Sequence, residues 1–224
     1  CVEARSAPYD VTDDAPSAAT VETLFTPYFA PDESNQYGYS APFDNSYLND
    51  YHASWPTTGT PSGWGTANTF VNLLKYDGVN VATIKETPPD TKGPNFACPD
   101  PLLRLTSTKD DVTNKINALN YWSSGGTISS EGLMWGWRTL SPNAPFAQGA
   151  AYGGAKKFIV LMTDGVNSLV DNRPSGRLDT LSDYTAYGYL MKGRMGTSQN
   201  FGLAEQFLND RMLTACTNAK AKGI

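Results

Sequence analysis

The stretch Phe158-Ile159-Val160-Leu161-Met162-Thr163-Asp164-Gly165 decides the fold class. Five consecutive apolar residues end abruptly in a hydroxyl, a carboxylate and a glycine. An unbroken apolar run fits a parallel strand covered on both faces, whereas alternation would mark a strand wetted on one. Upstream, Ser129 or Ser130 can N-cap a helix that sets Leu133, Trp137 and Leu140 on one face and stops at Pro142. Before that, Leu102-Leu103-Arg104-Leu105-Thr106 reads as a short apolar strand. Ser107 or Thr108 then caps a helix in which Val112, Ile116 and Leu119 recur at helical spacing. Downstream, Leu208, Met212, Cys216 and Ala219 form the core stripe of a last helix ending at Lys222-Gly223. Helices alternating with apolar strands predict an α/β fold, an open and mostly parallel sheet flanked by helices. Such sheets bind ligands at the carboxyl ends of their strands, which is where Thr163-Asp164-Gly165 falls.

The first half has a different composition. Twelve of the 15 prolines fall within residues 1–101, and six of the 12 tyrosines precede His52. Residues 1–100 are therefore expected to be a loop-rich, Tyr- and Pro-rich insertion, with 101–224 as the core and a second irregular insertion at about 166–198. Within the first half, 70–76 and 79–84 read as strands of a hairpin turning at Asp77-Gly78. The chain begins with Cys1 and ends with Ile224, and it reads as a segment of something longer.

Charge and composition exclude several functions. The 224 residues carry 17 Lys+Arg against 22 Asp+Glu, a net charge of -5, without a basic cluster, which argues against nucleic acid or an anionic membrane as partner. No apolar run reaches the roughly 20 residues of a membrane helix, so an anchor is expected outside this chain. With one histidine, His52, and no nucleophile elbow, a Ser-His-Asp or Cys-His mechanism has little to build on. Zinc sites are equally short of ligands. In an oxidising compartment Cys1 and Cys98, both in the loop-rich half, are expected to pair, and Cys216 is either buried or paired elsewhere. Three reduced thiols in a cytosolic protein are the alternative.

Chemistry centres on Asp164. A carboxylate at the end of a central strand wants a cation, a donor or water. Hard cations take oxygen ligands, and Gly125-Gly126-Thr127 offers a second donor on a loop that strand order can bring alongside. The plainer reading is that Asp164 caps a turn and Thr127 starts a helix. The acidic residues Asp10, Asp13, Asp14, Asp32, Glu33, Asp44 and Asp50 lack the spacing of a calcium loop and read as solvated loop charges. Trp137 belongs to the core stripe, and Trp135 is expected to pack under the insertion. The glycines of 149–156 do not form a phosphate loop, because Ala155 separates them from Lys156 and the segment precedes a strand.

Several elements, in this order, resemble the TadG-like proteins of Tad/Flp pilus assembly and, more broadly, the von Willebrand factor type A (vWA) domain. They are Cys1-Val2-Glu3-Ala4-Arg5, Tyr28-Phe29-Ala30-Pro31-Asp32-Glu33, Tyr47-Leu48-Asn49-Asp50, Cys98-Pro99, Gly125-Gly126-Thr127, the run from Glu131 to Pro142, Lys156 to Gly165 with Asn167, and Ala186-Tyr187-Gly188-Tyr189. The resemblance implies a doubly wound sheet, Rossmann-like in outline, with a metal-ion-dependent adhesion site (MIDAS) built from three loops. Thr127 would be the second-loop ligand and Asp164 the third-loop carboxylate, holding Mg²⁺, or Mn²⁺ or Ca²⁺. The first-loop pattern D-x-S-x-S is missing: Asp32-Glu33-Ser34 and Asp44-Asn45-Ser46 begin it without its last serine. Two ligands alone hold Mg²⁺ weakly.

The resemblance further implies a non-enzymatic binding or adhesion module, periplasmic or on the cell surface, membrane-anchored in the full-length protein. Its partners would be a protein or surface ligand and components of the pilus or secretion machinery. Two alternatives stand beside it. One is a structural pilus component with a vestigial metal site. The other is a Mg²⁺-dependent hydrolase using Asp164 with His52, Asp171, Asp179 or Asp183.

Overall fold

The computed structural model describes residues 1–30, 95, 98–119, 126–163, 165–171 and 182–224. The hairpin expected at 70–84 lies outside them. Among the described residues there are three α-helices, α1 Lys109–Ala118, α2 Ser129–Leu140 and α3 Phe201–Ala221, with short 3-10 turns at Tyr9–Val11, Val21–Thr23 and Leu190–Lys192. Strand-like pairing among these residues is confined to isolated antiparallel bridges, Val2 with Pro27, Thr127 with Ser168 and Asp171 with Ser182 among them.

Helix α3 is the spine. Asn200 caps it, its side chain accepting from the Leu203 N–H at 3.0 Å. At its end Gly223 adopts φ +81° and its N–H reaches the Lys220 carbonyl, while Ile224 N–H closes on Ala219. That left-handed close suits glycine alone among ordinary residues. Its buried positions serve two cores. Ala204 and Leu208 join Ala4, Leu169, Tyr187, Leu190 and Met195. Ala215 and Ala219 join Val11, Leu133, Met134 and Trp137, with Met212, Cys216, Ile159 and Ile224 packed against them. The expected stripe of α3 thus faces inward, Leu208 and Ala219 buried and Met212 and Cys216 half-buried, and Cys216 is a free thiol.

Helix α2 ends before Pro142 as its sequence predicts, but its N-terminus is capped differently. Ile128 holds the N-cap position, and the Ser129 N–H donates to Asn167 Oδ1 at 2.8 Å. Ser130 is turned into the interior, so neither serine caps. Asn167 is anchored in turn by donating to Asn209 Oδ1 of α3 at 2.8 Å. At the other end Lys157, buried, donates to the carbonyls of Leu140 and Ala150 at 2.7 and 2.5 Å. A cation there complements the negative end of the helix dipole.

The run 158–162 lies extended along α2. A methyl group at Gly132 would stand 4.0 Å from Leu161, and one at Gly136 would stand 3.7 Å from Ile159, so those two side chains face the helix. Phe158, Val160 and Met162 point the other way and are 77, 85 and 90% exposed. Among the described residues the run is covered on one face. The apolar stripe of α1 is likewise open, with no residue of that helix buried.

Residues 1–14 thread between the cores, Ala4 in one and Val11 in the other. Arg5 gathers this segment, donating to the carbonyls of Thr12, Asp14 and Thr23 at 2.6, 2.7 and 3.2 Å. Asp10 is wholly buried: it accepts from Tyr187 Oη at 2.9 Å and from Arg211 Nε at 2.7 Å, with a second bond from Arg211 Nη2. Asp13 accepts from Ser141 Oγ at 2.6 Å and from the Tyr152 hydroxyl. These two carboxylates are not solvated loop charges, because Tyr187, Arg211, Ser141 and Tyr152 converge on them and offset the cost of burial. Cys1 and Cys98 form a disulfide, with Cα atoms 6.1 Å apart. No helix among the described residues is long and apolar enough to cross a membrane.

Candidate binding site

The loop entering α2 and the loop leaving the 158–162 run meet at one corner. Thr127 N–H donates to the Ser168 carbonyl at 2.8 Å, and Ser168 N–H returns a bond to Thr127 at 3.0 Å. The approach needs a glycine at 126, since a Cβ there would stand 1.9 Å from the Ser168 carbonyl oxygen. A methyl group at Gly165 would stand 3.8 Å from Thr127 Oγ1, so the Thr127 hydroxyl borders the Thr163-Asp164-Gly165 turn. Thr163 Oγ1 closes that turn, donating to the Gly165 carbonyl at 3.1 Å and accepting from its N–H at 3.3 Å. Thr127 precedes α2 without capping it. Asp164 lies outside the described residues, as do His52, Asp179, the acidic residues of 32–50 and Gly125.

For a hard divalent cation, the residues at this corner fit in kind: a threonine hydroxyl beside a turn that carries an aspartate. They are few in number. Among the described residues no group of three His, Cys, Asp or Glu side chains is placed to hold a metal ion. The Asp171 backbone pairs with Ser182 in an isolated bridge.

Beside this corner opens a cleft of about 780 Å³. One wall is the disulfide Cys1–Cys98 with Pro99 to Leu102; another is Gly126, Ile128 and the first turns of α2; the third is 168–170 and 183–186. Trp135 stands in it, one side packed on Phe25 and Phe146 at ring distances of 5.4 and 6.1 Å and with Arg138 4.7 Å from its ring centre. Its contact with Phe25 matches the expectation that it packs under the N-terminal segment. Tyr28 and Tyr184 stack edge to face at 5.3 Å, and Tyr184 donates to Glu3, which pairs with Arg194 at 2.5 Å. Burial, then the Glu3 bond, pushes the Tyr184 phenol well above its ordinary range.

Glu131 borders the cleft from the first turn of α2. Its Oε2 lies 3.9 Å from Arg138, while Oε1 is buried without a hydrogen bond of good geometry, the Trp135 indole being its weak partner. Burial raises the Glu131 pKa against the opposing pull of Arg138, and burial drags Arg138 down to about 10. Both shifts follow from taking charge out of water. Glu131 is a site residue that reading the sequence for motifs passes over. Its signal was present as an acid in the first turn of an apolar helix, but a helix N-terminus explains such a residue equally well.

Comparison with known proteins returned no match: no family model, no curated protein and no solved structure.

Proposed function

We propose that this chain is a non-enzymatic binding module of an exported, membrane-anchored protein, of the vWA type found in TadG-like pilus-assembly proteins. The observation that carries the reading is the contact between the two loops the resemblance singles out, Thr127 beside Gly165, next to a cleft lined by Gly126, Ile128 and Ser168. The Cys1–Cys98 disulfide supports an oxidising compartment, the periplasm or cell surface. Its partner would be a protein or surface ligand, with pilus or secretion components as neighbours. Thr127 and Asp164 would hold the divalent cation, Mg²⁺ by preference. When bound, that ion supplies a positive centre for an acidic group of the partner. The chain's own contribution is to hold the two loops together through the Thr127–Ser168 bridge and the capping Asn167.

A second reading, a structural pilus component with a vestigial metal site, is favoured by the missing D-x-S-x-S. The hydrolase alternative gains no support from Asp171 or Asp183, since among the described residues no three His, Cys, Asp or Glu side chains cluster. Titration of the oxidised protein with Mg²⁺ or Mn²⁺, with thermal unfolding as readout, separates the first two. A saturable rise that Asp164→Ala abolishes supports the binding module, and no rise favours the structural component.

A further inference from the structure

The cleft has a marked charge character. Among the described residues that line it are three carboxylates, Asp100, Glu131 and Asp183, and no lysine or arginine. The rest of its lining is mainly apolar and aromatic, with Trp135, Tyr28, Ile128 and Leu169 prominent. Its volume, about 780 Å³, falls in the range of roughly 300–1,000 Å³ typical of sites that enclose a ligand. One buried acceptor at its edge, Glu131 Oε1, makes no hydrogen bond of good geometry, the Trp135 indole interacting with the carboxyl only weakly. An unsatisfied buried carboxylate oxygen is costly, and a ligand N–H that reaches it recovers that cost. Arg138, 3.9 Å from Glu131, is buried against Trp135 and does not line the cleft.

We infer that the cleft binds an arginine or lysine side chain presented within an apolar stretch of a partner protein. This deepens the binding-module reading and rests on it. An apolar stem suits the Trp135 and Ile128 surfaces, and the cation suits the carboxylates and aromatic faces together. An anionic or purely apolar occupant would bury Asp100 without a partner and leave Glu131 only its long contact with Arg138. Arginine matches best, because its planar fork delivers several N–H groups to neighbouring carboxylates at once.

The test uses the ¹⁵N-labelled, disulfide-intact chain and a capped apolar peptide with one central arginine. The same peptide with citrulline in that place is the neutral control. Binding is followed at the Trp135 indole N–H and the amides of 126–132 and 183–186. The arginine peptide is expected to bind roughly tenfold or more tightly than the citrulline peptide. Glu131→Gln should remove most of that preference. Asp100→Asn, at an exposed position where folding is not at stake, should reduce it several-fold. Equal affinity for the two peptides, shifts away from the cleft, or no shift with either would overturn the inference. Equal affinity within the cleft would leave the binding module standing and remove only its ligand class. Failure of the metal titration would strike that reading instead.

Discussion

Replacing Asp10 with alanine takes away a carboxylate that has no solvent exposure and three donors. Two of those bonds come from Arg211, whose side chain is 16% exposed, and one from Tyr187. Charge-assisted bonds contribute about 1.5–3 kcal/mol each and a neutral one about 1 kcal/mol. Part of the loss is recovered because Arg211 can turn toward water and keeps its contact with the Pro8 carbonyl. The expected cost is about 3–5 kcal/mol, the range for breaking a buried pair by removing one partner. Against a typical total of about 5–15 kcal/mol, that is a large fraction of the stability. Urea denaturation followed by tryptophan fluorescence measures it, with Arg211→Ala and the double variant completing a cycle whose coupling should exceed about 1.5 kcal/mol. A loss below about 1 kcal/mol, or additive single variants, would refute the claim that this pair fastens residues 1–14 to α3.

Four further outcomes are expected. Without reductant, the denatured protein should expose one reactive thiol, Cys216, and after reduction three; with its cysteines 97 positions apart the bridge should contribute up to about 4–5 kcal/mol in urea melts. Gly126→Ala forces a Cβ within 1.9 Å of the Ser168 carbonyl and should lower stability by more than about 2 kcal/mol while shifting the Thr127 and Ser168 amides. Lys157→Met leaves two carbonyls without their cation and should cost about 2–3 kcal/mol by the same denaturation assay. Burial, reinforced by the Asp10 charge, raises the Tyr187 pKa, so its contribution is full below about pH 10 and is lost as pH rises from there toward the folded-state value. Tyr187→Phe should therefore flatten the alkaline fall in stability by up to about 1.4 kcal/mol per pH unit.

Helical spacing carried most of what was legible. Met212, Cys216 and Ala219 of the stripe and the face of Leu133 and Trp137 are where α3 and α2 meet, while Leu208 enters the other core, because period 3.6 reports burial directly. Pairing of Cys1 with Cys98 was readable from their shared place in the loop-rich half. The caps were less readable: two serines at the start of α2 have the right chemistry, yet Asn167, 38 residues away, takes the role. Long-range side-chain caps leave no local trace. Asp10 and Asp13 were misread for the same reason, since a carboxylate in a loop has one local signature whether water or Arg211 receives it. The run 158–162 illustrates a further limit. Five apolar residues announce an extended segment, and alternate side chains do pack on α2, but which element covers Phe158, Val160 and Met162 is a property of the rest of the chain. At the candidate site, the nearness of Thr127 to the turn of Asp164 was anticipated from loop order, whereas Glu131 and the cleft emerge only from packing.

The most direct test of the central claim, that the loops of Thr127 and Asp164 form one binding site, is a Mg²⁺ and Mn²⁺ titration by thermal unfolding. Wild type is run beside Thr127→Ala and Asp164→Ala. At roughly ten times the dissociation constant, wild type should gain about 1.4 kcal/mol, a rise of about 3–6 °C, and both variants should lose that gain. A wild-type midpoint that does not move with metal, or one that moves equally in all three proteins, would contradict the account.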